Sequence, residues 1–272
     1  MKIAYFDCFS GISGDMILGA LVDAGLDFDA LCTELKKLPL EGFRLERRTV
    51  KKHEIAGTKI DVIIETKEGH EMIEGPGDDS HSHGDAHELH HHHDQIPDGD
   101  HGPARHLKDL VTVIEEGDLD ASIKHRAITI FDHLATAESK MHGMAKDEVH
   151  LHEVSGIDAI VDITGACIGL HLLGIDTVYA SALPLGNGFV RCAHGRMPVP
   201  APGALELMRN VPVYQTDARG EMVTPTGAAF LKATVISFGP MPRMTLKQIG
   251  YGAGTKDFPE HPNLLRVCIG EG

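Results

Sequence analysis

Ten of the 19 histidines fall between His70 and His106, among nine Asp/Glu and almost no large apolar residues. Seven of them, His81, His83, His87, His90, His91, His92 and His93, lie within thirteen residues. Neutral imidazole suits Ni, Zn and Cu ions, and nearby carboxylates add charge. The tract has no period of 2 or 3.6 and too little apolar surface to offset its ordering entropy, so 68–103 reads as a disordered loop. A loop cannot impose one geometry; it collects metal loosely rather than activating it. The plain alternative is a solvated spacer.

Four shorter constellations could do more directed chemistry. In Val149-His150-Leu151-His152-Glu153, an extended backbone projects His150 and His152 to one side, where two imidazoles could share an ion. The plain alternative is a pair of satisfied surface histidines. The following helix carries Asp158 and Asp162, four apart, then Gly165 and Gly169, on one stripe. The two acids could serve the helix dipole or hold a hard cation such as Mg²⁺ beside a phosphate. Arg191-Cys192-Ala193-His194-Gly195-Arg196, read as extended, sets a thiol and an imidazole side by side; Arg191 and Arg196 could lower the thiol pKa or receive an anion. Cys192 could equally be a small buried apolar residue. Finally, Ser10-Gly11-Ile12-Ser13-Gly14-Asp15 joins a strand to a helix, the arrangement by which backbone N–H groups cradle phosphate, with Asp15 as a candidate catalytic acid. It matches neither the Walker nor the dinucleotide pattern. Thr224-Pro225-Thr226-Gly227 and Gly250–Thr255 either line the same cleft or are simple turns.

The elements that position these residues follow from periodicity. Ile3–Phe6 is strand-like and Met16–Ala24 helical, with Gly25 as stop. A second helix is expected over 28–38, then paired strands 43–52 and 58–65 separated by Ala56-Gly57. Helices are expected over 104–116, 120–141, 157–173, 204–208 and 226–236, and strands over 148–154, 177–182, 243–251 and 263–269. The stretch from Pro184 to Pro202 reads as glycine and proline punctuation. The class is α/β or α+β, a mixed sheet with flanking helices and a disordered His-rich insertion. The division is an N-terminal α/β part (1–67), the loop (68–103), and a helical hairpin with the rest of the same domain (104–272).

The chain has 272 residues and a formal charge of -15, which argues against general nucleic-acid binding. No apolar run approaches a membrane span, Asp7 comes too early for a signal peptide, and five scattered cysteines form no disulfide framework. A cytoplasmic protein without membrane contact is expected, and self-association into a homo-oligomer is compatible with it.

Five blocks in order, YFDCFSGISGDM (5–16), VHLHEVSGIDAIVDITG (149–165), LPLGNGFVRCAHGRMPVPAPGALELM (183–208), VTPTGAA (223–229) and GYGAGTKDFPEHPNLLRV (250–267), together with the His-rich insertion, resemble the nickel insertion proteins of lactate racemase maturation, the LarC family. The resemblance covers nearly the whole chain. It implies a nickel chelatase that inserts Ni²⁺ into pyridinium-3,5-bisthiocarboxylic acid mononucleotide, making the nickel-pincer cofactor destined for the lactate racemase apoprotein. It also implies CTP, with Mg²⁺ or Mn²⁺, bound mainly by a C-terminal domain or a separate chain; this sequence looks like the N-terminal portion. Under that reading His150, His152, Cys192 and His194 form the working metal site, with Asp158 and Asp162 as further metal ligands. His152 and Glu153 act in catalysis, Glu153 taking the ring proton as the Ni–C bond forms. Ser10, Gly11, Ser13, Gly14, Arg191 and Arg196 hold the substrate's phosphate or carboxylates. Two rival readings are a nickel store or carrier without catalysis of its own, and a phosphohydrolase using Asp7, Asp15 and a metal.

Overall fold

The computed structural model describes residues 1–65, 71–73, 105–151, 154, 156–192 and 194–272. Its elements run β1 (Lys2–Asp7), α1 (Gly14–Asp23), α2 (Phe28–Leu35), β2 (Phe43–Lys52), β3 (Ile55–Glu65), β4 (Glu71–Ile73) and β5 (Arg105–His106). Then follow α3 (Leu107–Glu116), α4 (Ala121–His142), β6 (His150–Leu151), α5 (Ile157–Leu172), β7 (Thr177–Ala180), β8 (Leu183–Asn187), β9 (Phe189–Cys192) and β10 (Gly195–Pro198). The rest is α6 (Pro202–Leu207), β11 (Val213–Arg219), α7 (Pro225–Thr234), β12 (Val235–Phe238), β13 (Thr245–Ala253) and β14 (Leu264–Glu271).

A mixed sheet of eight strands, ordered β12-β7-β1-β14-β13-β3-β2 with β4 on β3, forms the frame. β1 runs parallel to β7 and antiparallel to β14, so the two ends of the chain meet in the sheet's centre. β1 is buried throughout its middle, as a central strand requires. Helix α1 lies between the sheet and α5, and α4 packs on α5, α6 and α7. The core includes Phe6, Ile17, Leu21, Phe131, Ile160 and Phe230, all at most 1% exposed. Phe6 and Phe230 meet edge to face at 5.4 Å. Helix α4 buries the stripe Ile123, Ala127, Ile130, Phe131 and Leu134, and ends where Gly143 turns left-handed at φ 63. Among the described residues no helix is long and apolar enough to cross a membrane.

The structure departs from expectation in three places. The β2–β3 turn is His53-Glu54, not Ala56-Gly57: both residues take positive φ, 47 and 65, so two non-glycine residues make the tight turn. Within the range read as a loop, Glu71–Ile73 adds an edge strand to β3; the seven clustered histidines lie outside the described residues. The punctuated stretch is a parallel pair, β8 with β11, followed by the hairpin β9–β10.

Candidate functional site

Helix α4 carries Glu138 and His142 one turn apart, on one face, in its last two turns. The β9–β10 hairpin pairs Cys192 with Gly195, which leaves His194 in its turn. That turn stands against the end of α4. Ligand atoms of Glu138, His142 and His194 all lie within 4.8 Å of one another, with His142 Nε2 3.4 Å from Glu138 Oε2. The His142 and His194 ring centres are 4.8 Å apart. A metal–imidazole bond of about 2.0–2.1 Å sets two rings on one ion about 4.5–5.2 Å apart, between right-angle and tetrahedral arrangements. The spacing therefore suits a shared ion. Two imidazoles and a carboxylate suit a divalent transition metal.

The other residues expected to hold metal fall elsewhere. Among the described residues, His150, Cys192, Asp158 and Asp162 do not join the convergent set. His150 pairs across β5–β6 with His106, ring centres 4.0 Å apart. His152 and Glu153 lie outside the described residues. Cys192 is half-buried at the end of strand β9, whereas His194 stands in the turn before β10. Arg191 and Arg196 are cross-strand neighbours, and the Arg196 guanidinium sits 4.4 Å from the Phe189 ring centre.

The three glycine-containing segments, by contrast, do meet, although residues 224–227 cap and open α7 and residues 250–253 end β13. Ile12 N donates to Met222 O at 2.9 Å and Thr224 N to Ile12 O at 3.1 Å, zipping the first turn to the second. A cleft beside them is lined by Ser13, Asp15, Thr224, Thr255, Lys256 and Asn263. Gly11, at φ 94, is where it is because a Cβ there would run into the Met222 carbonyl. Ser10 is fully buried behind the turn.

The cleft's floor is charged. Ser13 Oγ donates to Asp15 Oδ1, which also accepts Met16 N at 2.8 Å. Asp15 Oδ2 is ion-paired to Lys59, which lies 3.4 Å from Asp61; Arg48 holds Asp61 from the other side at 2.9 Å. Lys59 is 4% exposed, and Asp15 foremost among the nearby carboxylates holds its pKa up against the opposing effect of burial. Asp162 reaches the same place from α5. Burial, then the charges of Asp15 and Asp158, push its carboxyl well above the usual range. A Cβ at Gly14 would lie within 2.7 Å of Asp162 Cβ, so this glycine admits the α5 carboxyl to the start of α1. The protein's own carboxylates thus crowd the helix end where a phosphate was expected, and Lys59, Lys256 and the hydroxyls supply the complementary groups. Gly165 and Gly169 face Leu18 and Leu21 of α1 and make the helix contact close.

Sequence reasoning missed Glu138, His142, His106, Lys59 and Asp61. Glu-x-x-x-His on α4 was a readable signal, two ligand types one turn apart. Nothing local marks the other three.

A sequence model of the nickel insertion protein family matches residues 4–272. The pyridinium-3,5-bisthiocarboxylic acid mononucleotide nickel insertion protein of Geobacillus kaustophilus (strain HTA426) is 47% identical over 271 residues, covering 100% of this chain and 60% of that protein. Its namesake from Desulfitobacterium hafniense (strain DSM 10664 / DCB-2) is 45% identical over 271 residues, covering 100% and 59%. The chain spans about 60% of the length of these curated relatives. No solved structure matches it. With the family match running over nearly its full length, the chain belongs to the nickel insertion proteins.

Proposed function

We propose that this chain carries out nickel insertion into pyridinium-3,5-bisthiocarboxylic acid mononucleotide, the substrate named for its relatives. The observation that carries the reading is the convergence of Glu138, His142 and His194 in a member of this family. These residues hold the incoming Ni²⁺ in one geometry while the ring is metallated. Insertion exchanges a ring C–H bond for a C–Ni bond and releases a proton. Glu153 is assigned as its acceptor and His152 as an added ligand. The cleft above Asp15 takes the mononucleotide, its phosphate meeting Lys256, Ser13, Thr224 and Thr255. CTP with Mg²⁺ or Mn²⁺ is the co-substrate of this reading, bound mainly by the part of the relatives that this chain does not span. The setting is cytoplasmic, and the cofactor passes to the lactate racemase apoprotein.

The test combines purified chain, with and without that further part, with Ni²⁺, CTP, Mg²⁺ and the dithiocarboxylate mononucleotide, product being read by mass. His142→Ala and His194→Ala should each lower insertion by about 10–100-fold even in excess nickel. Wild-type rates in both variants would overturn the assignment. The histidine tract favours one rival, a nickel store or carrier; that protein would bind nickel and yield no metallated product under any of these conditions.

A further inference from the structure

We propose that His106 and His150 form a second site for a divalent transition-metal ion, separate from Glu138, His142 and His194. The proposal rests on nickel being this chain's cargo. β5 and β6 pair antiparallel with His106 opposite His150, and their rings stand 4.0 Å apart, tilted by 39°. Val149 and Leu151 are at most 1% exposed, so they anchor the short strand and turn His150 out between them.

His106 is held in the manner of a metal ligand. Its backbone N–H donates to Asp109 Oδ2 at 3.0 Å, and its ring Nδ1 lies 3.2 Å from the Val149 carbonyl oxygen. A carbonyl only accepts, so the tautomer that makes this contact carries its hydrogen on Nδ1 and has its lone pair on Nε2. Metal-bound histidines are oriented by this same carbonyl contact on the nitrogen away from the ion. The rings are about 0.5 Å closer than the roughly 4.5 Å expected for right-angle ligands on one ion, and a small rotation of the exposed His150 supplies the difference. Among the described residues no third ligand completes this pair. The ion is therefore held weakly and exchanges readily.

Placement gives the pair a use. His142 ends α4 and His150 opens β6, and the connection between them is tied back by the left-handed Gly143 cap and the Lys146–Asp132 ion pair. A two-ligand station and a three-ligand station thus stand at the two ends of one braced connection. An ion passing from the first to the second moves toward tighter binding.

Crystals of the whole chain soaked in Ni²⁺ and measured at the nickel edge test this directly. We expect an anomalous peak about 2 Å from His106 Nε2 and from a ring nitrogen of His150, in addition to one at Glu138, His142 and His194. His106→Ala and, independently, His150→Ala should each remove the first peak and keep the second. A peak at the three-ligand cluster alone, with the paired rings still in contact, would overturn the second site. The readout is binding, so failure of insertion leaves it standing: a peak at the pair without metallated product would sink only the proposed reaction, and product without that peak only this site.

Discussion

Asp162 is a side chain whose charge is controlled by the fold around it. Its Oδ1 is buried without a hydrogen-bond partner among the described residues, and burial, Asp15 and Asp158 raise its pKa well above 3.8. A carboxyl whose folded pKa is raised keeps its proton in the folded state where the unfolded chain has already lost it. Stability therefore falls as pH rises from about 3.8 through the raised value, because the charged form is disfavoured in place. Asp162→Asn keeps the shape and stays neutral at every pH. Its melting temperature relative to the parent should climb as pH rises above about 3.8, since only the parent must keep or lose a buried proton. A pH-independent difference would mean that Asp162 is charged in the native protein. The sequence showed Asp158 and Asp162 on one helical stripe, and Asp158 does lie in the first turn of α5, where the dipole favours it. It could not show Asp162's neighbours, because Asp15, Lys59 and Asp61 arrive from α1 and β3. The same limit applies to His194: the sequence offered it as a metal ligand beside Cys192, but its partners come from α4.

Among elements, the helices were legible and the short strands were not. Helix α4 was expected over 120–141 and runs Ala121–His142, because an apolar stripe repeated over many turns is a strong signal. β8 to β11 carry glycine, proline and exposed side chains, so little alternation marks them, and the β8–β11 pairing joins segments about 30 residues apart, Leu183 with Val213. What holds α1 to the sheet was likewise hidden in the polar glycine turn at the end of β13. A Cβ on Gly252 would lie 2.5 Å from Ala20 N and 2.8 Å from Met16 C, all rigid helix backbone. On Gly169 of α5 it would meet Leu21 Cδ1 at 2.8 Å, the movable end of a side chain. Gly252→Ala should thus cost about 2–4 kcal/mol in denaturant unfolding. Gly169→Ala should stay within about 1 kcal/mol of the parent, since alanine's helix propensity offsets part of the crowding. Equal losses would show that α1 shifts freely on the sheet and that the close approach at Gly252 is not what fixes it.

At the scale of the whole molecule, the proposed function divides the handling of nickel between two kinds of histidine. The formal charge of -15 draws divalent cations toward the surface, and on that proposal the tract His81, His83, His87 and His90–His93 serves to raise their local concentration. His142 and His194 instead sit on a helix and a hairpin that the folded frame braces. Concentration and geometry fail differently when lost. Replacing the seven tract histidines by glutamine leaves the formal charge unchanged and keeps the chain length, so the long-range field persists while the imidazoles go. Nickel bound per chain, measured by equilibrium dialysis, should fall, and insertion should drop at limiting nickel yet recover when nickel is added. His142→Ala should lose insertion without recovery, because added ion cannot rebuild a missing ligand. If instead added nickel restored His142→Ala while the glutamine variant stayed inactive, the metallating centre would belong to the tract, and the cluster at the end of α4 would be a reservoir.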